Sequence, residues 1–139
     1  IRDAGFRDTV KKCEGLKELL ALEDTTSLSF KHSVAPSLGN LDPKGSKARG
    51  WGVHSVLMLD GNSHRTVGLL DQQWWCREDK TEEGTRAPSE KKESDKWHNA
   101  AENSRALLAE QIPKVIAVCD READILTISH IKSSITNDV

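Results

Sequence analysis

LLALEDTTSL, residues 19–28, and KVIAVCDREADI, residues 114–125, decide how this chain is read. Each is an apolar run of strand length that meets a carboxylate, Asp24 in the first and Asp120 in the second. An aspartate directly after a buried strand stands rigidly at the rim of a sheet, where open α/β sheets hold ligands and metal ions. Nearly a hundred residues separate the two, so they meet only if their strands are neighbours. Two carboxylates so placed have the geometry for holding divalent metal ions over a phosphodiester.

The rest of the chain supplies the elements that such a sheet needs. Residues 1–18 mix Lys and Glu with spaced apolar positions, which predicts a helix running toward Gly15. Leu19–Leu22 reads as a short first strand ending at Glu23 and Asp24. Pro36, Gly39, Pro43, Gly45 and Gly50 mark residues 33–50 as a loop, with Lys44, Lys47 and Arg49 in it. Trp51–Leu59 is a second strand, and Asp60-Gly61-Asn62 signals a hairpin into a third, Arg65–Trp75, antiparallel to it. Arg77–Pro88 is charged and turn-rich. Lys91–Gln111 carries Trp97, Ala100, Ala101, Ser104, Leu107 and Leu108 at helical spacing, and Ser94 is a candidate cap. Pro113 breaks the chain before a fourth strand, Val115–Cys119, and Arg121–Ile131 reads as a helix packing behind it. Strand, antiparallel hairpin, helix, strand, helix is the order of an α/β domain of the ribonuclease-H-like kind, a mixed sheet. In it the first and fourth strands lie parallel, side by side, joined by a right-handed crossover.

LALEDTTSLSF, RGWGVHSVLMLD, RTVGLLDQQWW, KESDKW and VIAVCDREADI resemble, in that order, the catalytic core of bacterial insertion-sequence transposases of the Asp-Asp-Glu type. The transposon-five kind is the nearest. The resemblance covers Ile1 to Ile125, and VIAVCDREADI is its most specific block. It implies that Asp24 and Asp120 are two of three metal-binding catalytic carboxylates, holding a pair of Mg²⁺ or Mn²⁺ ions. It implies transposon-end DNA as substrate, with cleavage and strand transfer as the reaction. The third carboxylate, a glutamate, lies in that family beyond a long β-strand insertion, and residues 1–139 hold no counterpart. The chain therefore reads as a core truncated before that residue, binding metal weakly or as a single ion, and inactive alone. Residues 1–126 form the partial catalytic domain, and 127–139 a divergent tail that a truncated or frame-shifted gene would produce. The family carries a histidine where this chain has Leu126.

Composition bounds these expectations. One domain with one core fits 139 residues at 36% hydrophobic content. No apolar run approaches the ~20 residues of a membrane span, and no signal-peptide pattern opens the chain. Cys13, Cys76 and Cys119 lack paired spacing, which suits a reducing bacterial cytoplasm, and Cys119 reads as core packing. A net charge of −2 lacks the basic excess of a stand-alone nucleic-acid binder, so this piece is expected to hold DNA weakly.

Other residues carry quieter expectations. Glu122 and Asp124 suit the first turn of a helix, and Arg121 pairs with one of them or faces DNA. Thr25, Thr26 and Ser27 read as satisfying backbone groups at the strand exit. The five histidines lack metal-ligand spacing, so zinc is not expected. Trp51, Trp74, Trp75 and Trp97 read mostly as core, with alternation setting Trp74 and Trp75 on opposite faces. Two rival readings stand beside the transposase core. One is a ribonuclease-H-like nuclease using Asp24, Glu102 and Asp120, with Glu102 otherwise expected in solvent. The other is a non-enzymatic folded remnant or interaction module, with a homo-oligomer as a further partner.

Overall fold

The computed structural model describes residues 2–31, 33, 35–41, 48–76, 95–108 and 114–119. They form an α/β unit: helix α1 (Arg2–Cys13), strand β1 (Leu19–Phe30), one 3-10 turn (Ala35–Ser37), strands β2 (Arg49–Asp60) and β3 (Thr66–Trp75), helix α2 (Asp95–Leu108) and strand β4 (Val115–Cys119). The four strands make one mixed sheet in the order β3-β2-β1-β4. β1 and β2 pair antiparallel over their whole length, Leu19 opposite Asp60 through Phe30 opposite Arg49. β4 lies parallel to β1, from Leu19 opposite Val115 to Glu23 opposite Cys119.

Local chemistry explains each element. Gly15 takes a left-handed φ of 81° two residues after α1, where a glycine carries no Cβ penalty, and the Leu16 N–H bonds back to the Cys13 carbonyl. The hairpin turn is held by Asp60: its carboxylate accepts from the Ser63 hydroxyl and the Asn62 N–H, and its own N–H bonds the Arg65 carbonyl. The two bonds to its carboxylate, the Ser63 hydroxyl foremost and then the Asn62 N–H, lower the Asp60 pKa from its ordinary value. Two bulges in β3 pass over Leu70 and Val67, so that Leu70 and Asp71 are both buried on one side.

Both helices pack on the same face of the sheet. Cys13 from α1 and Ala100 and Leu108 from α2 join Leu19, Ala21, Val56, Met58 and Leu70 in a single core cluster. Along α2 the buried positions are Trp97, Ala100, Ser104 and Leu108, a stripe at helical spacing. Gly68 passes directly beneath Thr9 of α1, where a Cβ would run into the threonine hydroxyl. No helix among the described residues is long and apolar enough to cross a membrane.

Both described helices and the extent of β4 match the sequence reading, and so does the hairpin, except that β2 starts at Arg49, which makes Arg49 and Gly50 strand residues paired with β1 rather than loop. The first strand does not end at Asp24. It continues through Thr25, Thr26, Ser27, Leu28 and Ser29 to Phe30, and Asp24 sits mid-strand opposite Ser55. The apolar run Leu19–Leu22 marks where β1 is flanked on both sides, by β2 and β4. Beyond Glu23 the described partner is β2 alone, and polar residues suffice. Thr25, Thr26 and Ser27 are thus strand residues, not an exit. Of the tryptophans only Trp97 is fully buried; Trp51 and Trp75 are half-buried and Trp74 is exposed. Cys119 is half-buried rather than core. The expected helix Arg121–Ile131, the tail, Lys44, Lys47, Ser94 and the Arg77–Pro88 loop lie outside the described residues.

Trp75 lies flat over Gly52, its cross-strand partner, and a Cβ there would stand 2.5 Å from the indole ring. Lys96 rides on the same indole, 5.6 Å from its centroid. Gly52→Ala is therefore expected to displace Trp75 and cost about 1–3 kcal/mol, the usual penalty for overpacking. Urea unfolding checks it against Gly5→Ala, where an added Cβ has no neighbour within 4 Å.

Candidate functional site

Alternation along β1 sends Leu19, Ala21, Glu23 and Thr25 toward the helices and Leu20, Leu22, Asp24 and Thr26 to the opposite face. Asp24 is exposed. Its cross-strand partner Ser55 shares that face and accepts a bond from the Gln72 amide at 3.2 Å, so a polar row Asp24–Ser55–Gln72 crosses three strands. Around this row Leu28, Phe30, Leu69, Trp74 and Val118 are exposed, while Val53, between Thr26 and Trp74, is buried. Asp24 is the first residue of β1 past the described β1·β4 ladder, which closes at Glu23 opposite Cys119. Asp120, the next residue after Cys119, lies outside the described residues, as do Arg121, Glu122, Asp124 and Leu126.

Mg²⁺ and Mn²⁺ take hard oxygen ligands. The exposed Asp24 carboxylate is a donor of that kind. Among the described residues no three His, Cys, Asp or Glu side chains converge to hold a metal ion. The residues thus fit a cation to the extent of one strand-borne carboxylate. Glu102, the third ligand of the nuclease reading, is exposed on α2.

The helix-covered face holds chemistry that the sequence reading missed. Glu23, His54, Asp71 and Ser104 are buried polar residues between the sheet and α2. His54 is wholly buried, edge-on to Trp97 with ring centroids 4.4 Å apart. Its Nδ1 lies 3.0 Å from the Thr25 hydroxyl and its Nε2 lies 3.7 Å from a Glu23 carboxylate oxygen. The Asp71 carboxylate accepts from the Asn103 amide at 3.1 Å and the Gln73 amide at 3.4 Å, and Gln73 also donates to the Lys96 carbonyl of α2 at 2.9 Å. Threonine and histidine therefore meet here across the β1·β2 ladder. A wholly buried ring has no access to a substrate, so the contact is structural. The available signal was period-two alternation: Glu23 and Thr25 share a parity, and the Asp60 turn fixes the register that brings His54 to them.

A scan against known protein families finds no matching family model.

Asn103 is the shortest hydrogen-bond donor to a buried carboxylate. Asn103→Ala is expected to lower stability by about 1–3 kcal/mol, the cost of leaving a buried polar group short of a partner. Glu102→Ala, one position earlier and exposed, is expected to stay within about 0.5 kcal/mol. Thermal and urea unfolding of the pair measure the difference.

Proposed function

We propose that this chain is part of the catalytic core of an Asp-Asp-Glu transposase with a ribonuclease-H-like fold, and that Asp24 and Asp120 are its metal-binding carboxylates. One observation carries the reading: β1 and β4 are adjacent and parallel, and their ladder closes at Glu23 opposite Cys119. The next residue on either chain segment is an aspartate. The sheet order, the antiparallel hairpin and the helix joining β3 to β4 support the same fold. The motif resemblance over Ile1–Ile125 supports the reaction class.

In this reading Asp24 and Asp120 would hold the divalent ions, whose charge would stabilise phosphoryl transfer. The chain's own part is to hold carboxylates at fixed points. Asp24 does this from the middle of a twelve-residue strand, where both flanking residues are paired across to β2. The open face around Asp24 is the side from which DNA would approach. The setting is a bacterial cytoplasm, and the partner is transposon-end DNA, held weakly by a chain of net charge −2.

Two predictions test it. Titration of the 139-residue chain with Mn²⁺ is expected to show weak binding that either Asp24→Asn or Asp120→Asn removes, because two close carboxylates repel and favour a cation between them. Binding left unchanged in both variants sinks the site. Second, the chain by itself is expected not to cleave a transposon-end duplex at a useful rate in Mn²⁺. Phosphoryl transfer here is mostly positioning, and a misplacement of ~1 Å costs about a hundredfold. Robust nicking abolished by Asp120→Asn would show that a carboxylate within these 139 residues completes the ligand set, Glu102 being the first to test.

A further inference from the structure

We infer that His54 is a positioning residue for Asp24, clamping the strand from the covered face while the aspartate looks out of the open one. Its two contacts fall on the two chain neighbours of Asp24. The Thr25 hydroxyl meets Nδ1 at 3.0 Å, and the Glu23 carboxylate stands 3.7 Å from Nε2. The ring itself cannot drift: it is wholly buried and set edge-on against Trp97 at an interplanar angle of 76°. The clamp acts on the part of β1 past Glu23, where β2 is the only strand partner among the described residues.

His54 Nε2 has no hydrogen-bond partner, and the group facing it is the buried Glu23 carboxyl. An N–H pointing at that oxygen is attractive where a lone pair would be repulsive, which favours the tautomer protonated on Nε2, with Nδ1 accepting from the Thr25 hydroxyl. Groups that hydrogen-bond a metal ligand commonly change metal affinity about 10- to 100-fold when removed; His54 acts one residue further out, on Thr25 and Glu23, so the lower end of that span applies.

The tests use the whole 139-residue chain. His54→Phe keeps an aromatic ring against Trp97 and removes both polar contacts; His54→Gln restores some hydrogen bonding. In the metal-free chain, amide hydrogen exchange at residues 24–26 is expected to quicken in His54→Phe relative to residues 56–58, and to recover partly in His54→Gln. Long-range proton–nitrogen NMR of the wild-type ring is expected to show Nε2 protonated and Nδ1 bare. Mn²⁺ affinity is expected to fall about tenfold in His54→Phe; this last readout rests on the metal-site reading above. Unchanged exchange at 24–26 overturns the clamp, and a proton on Nδ1 alone overturns the tautomer. Faster exchange with unchanged Mn²⁺ affinity, where Asp24→Asn does abolish binding, overturns the positioning role. Should Asp24→Asn leave Mn²⁺ binding intact, the metal reading falls alone and exchange still judges the clamp. If His54→Phe does not fold, Thr25→Val and Glu23→Met take its place, since each removes one contact and leaves the ring.

Discussion

The twelve-residue antiparallel ladder between β1 and β2 is the constraint on which the rest depends. It runs without a break from Leu19 opposite Asp60 to Phe30 opposite Arg49. Side chains alternate with period two, so a slip of one residue would exchange every face. Glu23 and Thr25 would then turn outward and Asp24 would be driven under Trp97, an unpaired carboxylate in the core. The cost of that burial, together with the loss of Leu19 and Ala21 from the core, makes the register steep. Asp60 pins it at the turn end through its bonds to Ser63, Asn62 and Arg65.

With that register set, β4 has one place to go. An antiparallel hairpin occupies one side of β1, and the free edge of β1 receives β4 in parallel after the chain has passed through α2. Parallel neighbours need such a crossover, and α2 supplies it while covering the sheet with Trp97, Ala100, Ser104 and Leu108. Among the described residues the β4 ladder runs to Glu23, in the middle of β1. Asp24 follows that point on the β4 side and lies mid-sheet on the β2 side.

That double position explains what the sequence made legible and what it hid. Hydrophobic runs marked Val115–Cys119, the hairpin strands and the helix stripe, because burial drives those patterns. The Asp60-Gly61-Asn62 turn and Gly15 were legible as backbone chemistry. The extension of β1 to Phe30 was not, because Thr25 to Ser29 gain strand pairing without deep burial, and a pattern built on burial stops at Leu22. The bulges at Leu70 and Val67 were equally hidden, since they change parity without changing composition. Asp24 could be singled out from its neighbours in the chain. The partnership of His54 with Glu23 and Thr25 needs the register, which no local pattern states.

The polar groups of this sheet are sorted along the strands as much as across its faces. At the end nearest Leu19 both faces are apolar: Leu19, Ala21, Met58 and Leu70 beneath the helices, Leu20 and Leu22 on the other side. From Glu23 onward polar residues enter both faces at one level, Glu23 and Asp71 under α2 and Asp24, Ser55 and Gln72 on the open side. Leu108 packs in the apolar half and Trp97 closes the polar one. The apolar half supplies most of the burial that stabilises the unit. The polar half contributes less, because its buried groups must recover in hydrogen bonds what they lose in hydration, and two of them, His54 Nε2 and the Ser104 hydroxyl, find no hydrogen-bond partner. A purely apolar layer under Trp97 would serve stability at least as well. What the polar layer adds is direction: bonds from Thr25 to His54 and from Gln73 and Asn103 to Asp71 tie β1, β2, β3 and α2 at the level where Asp24 emerges.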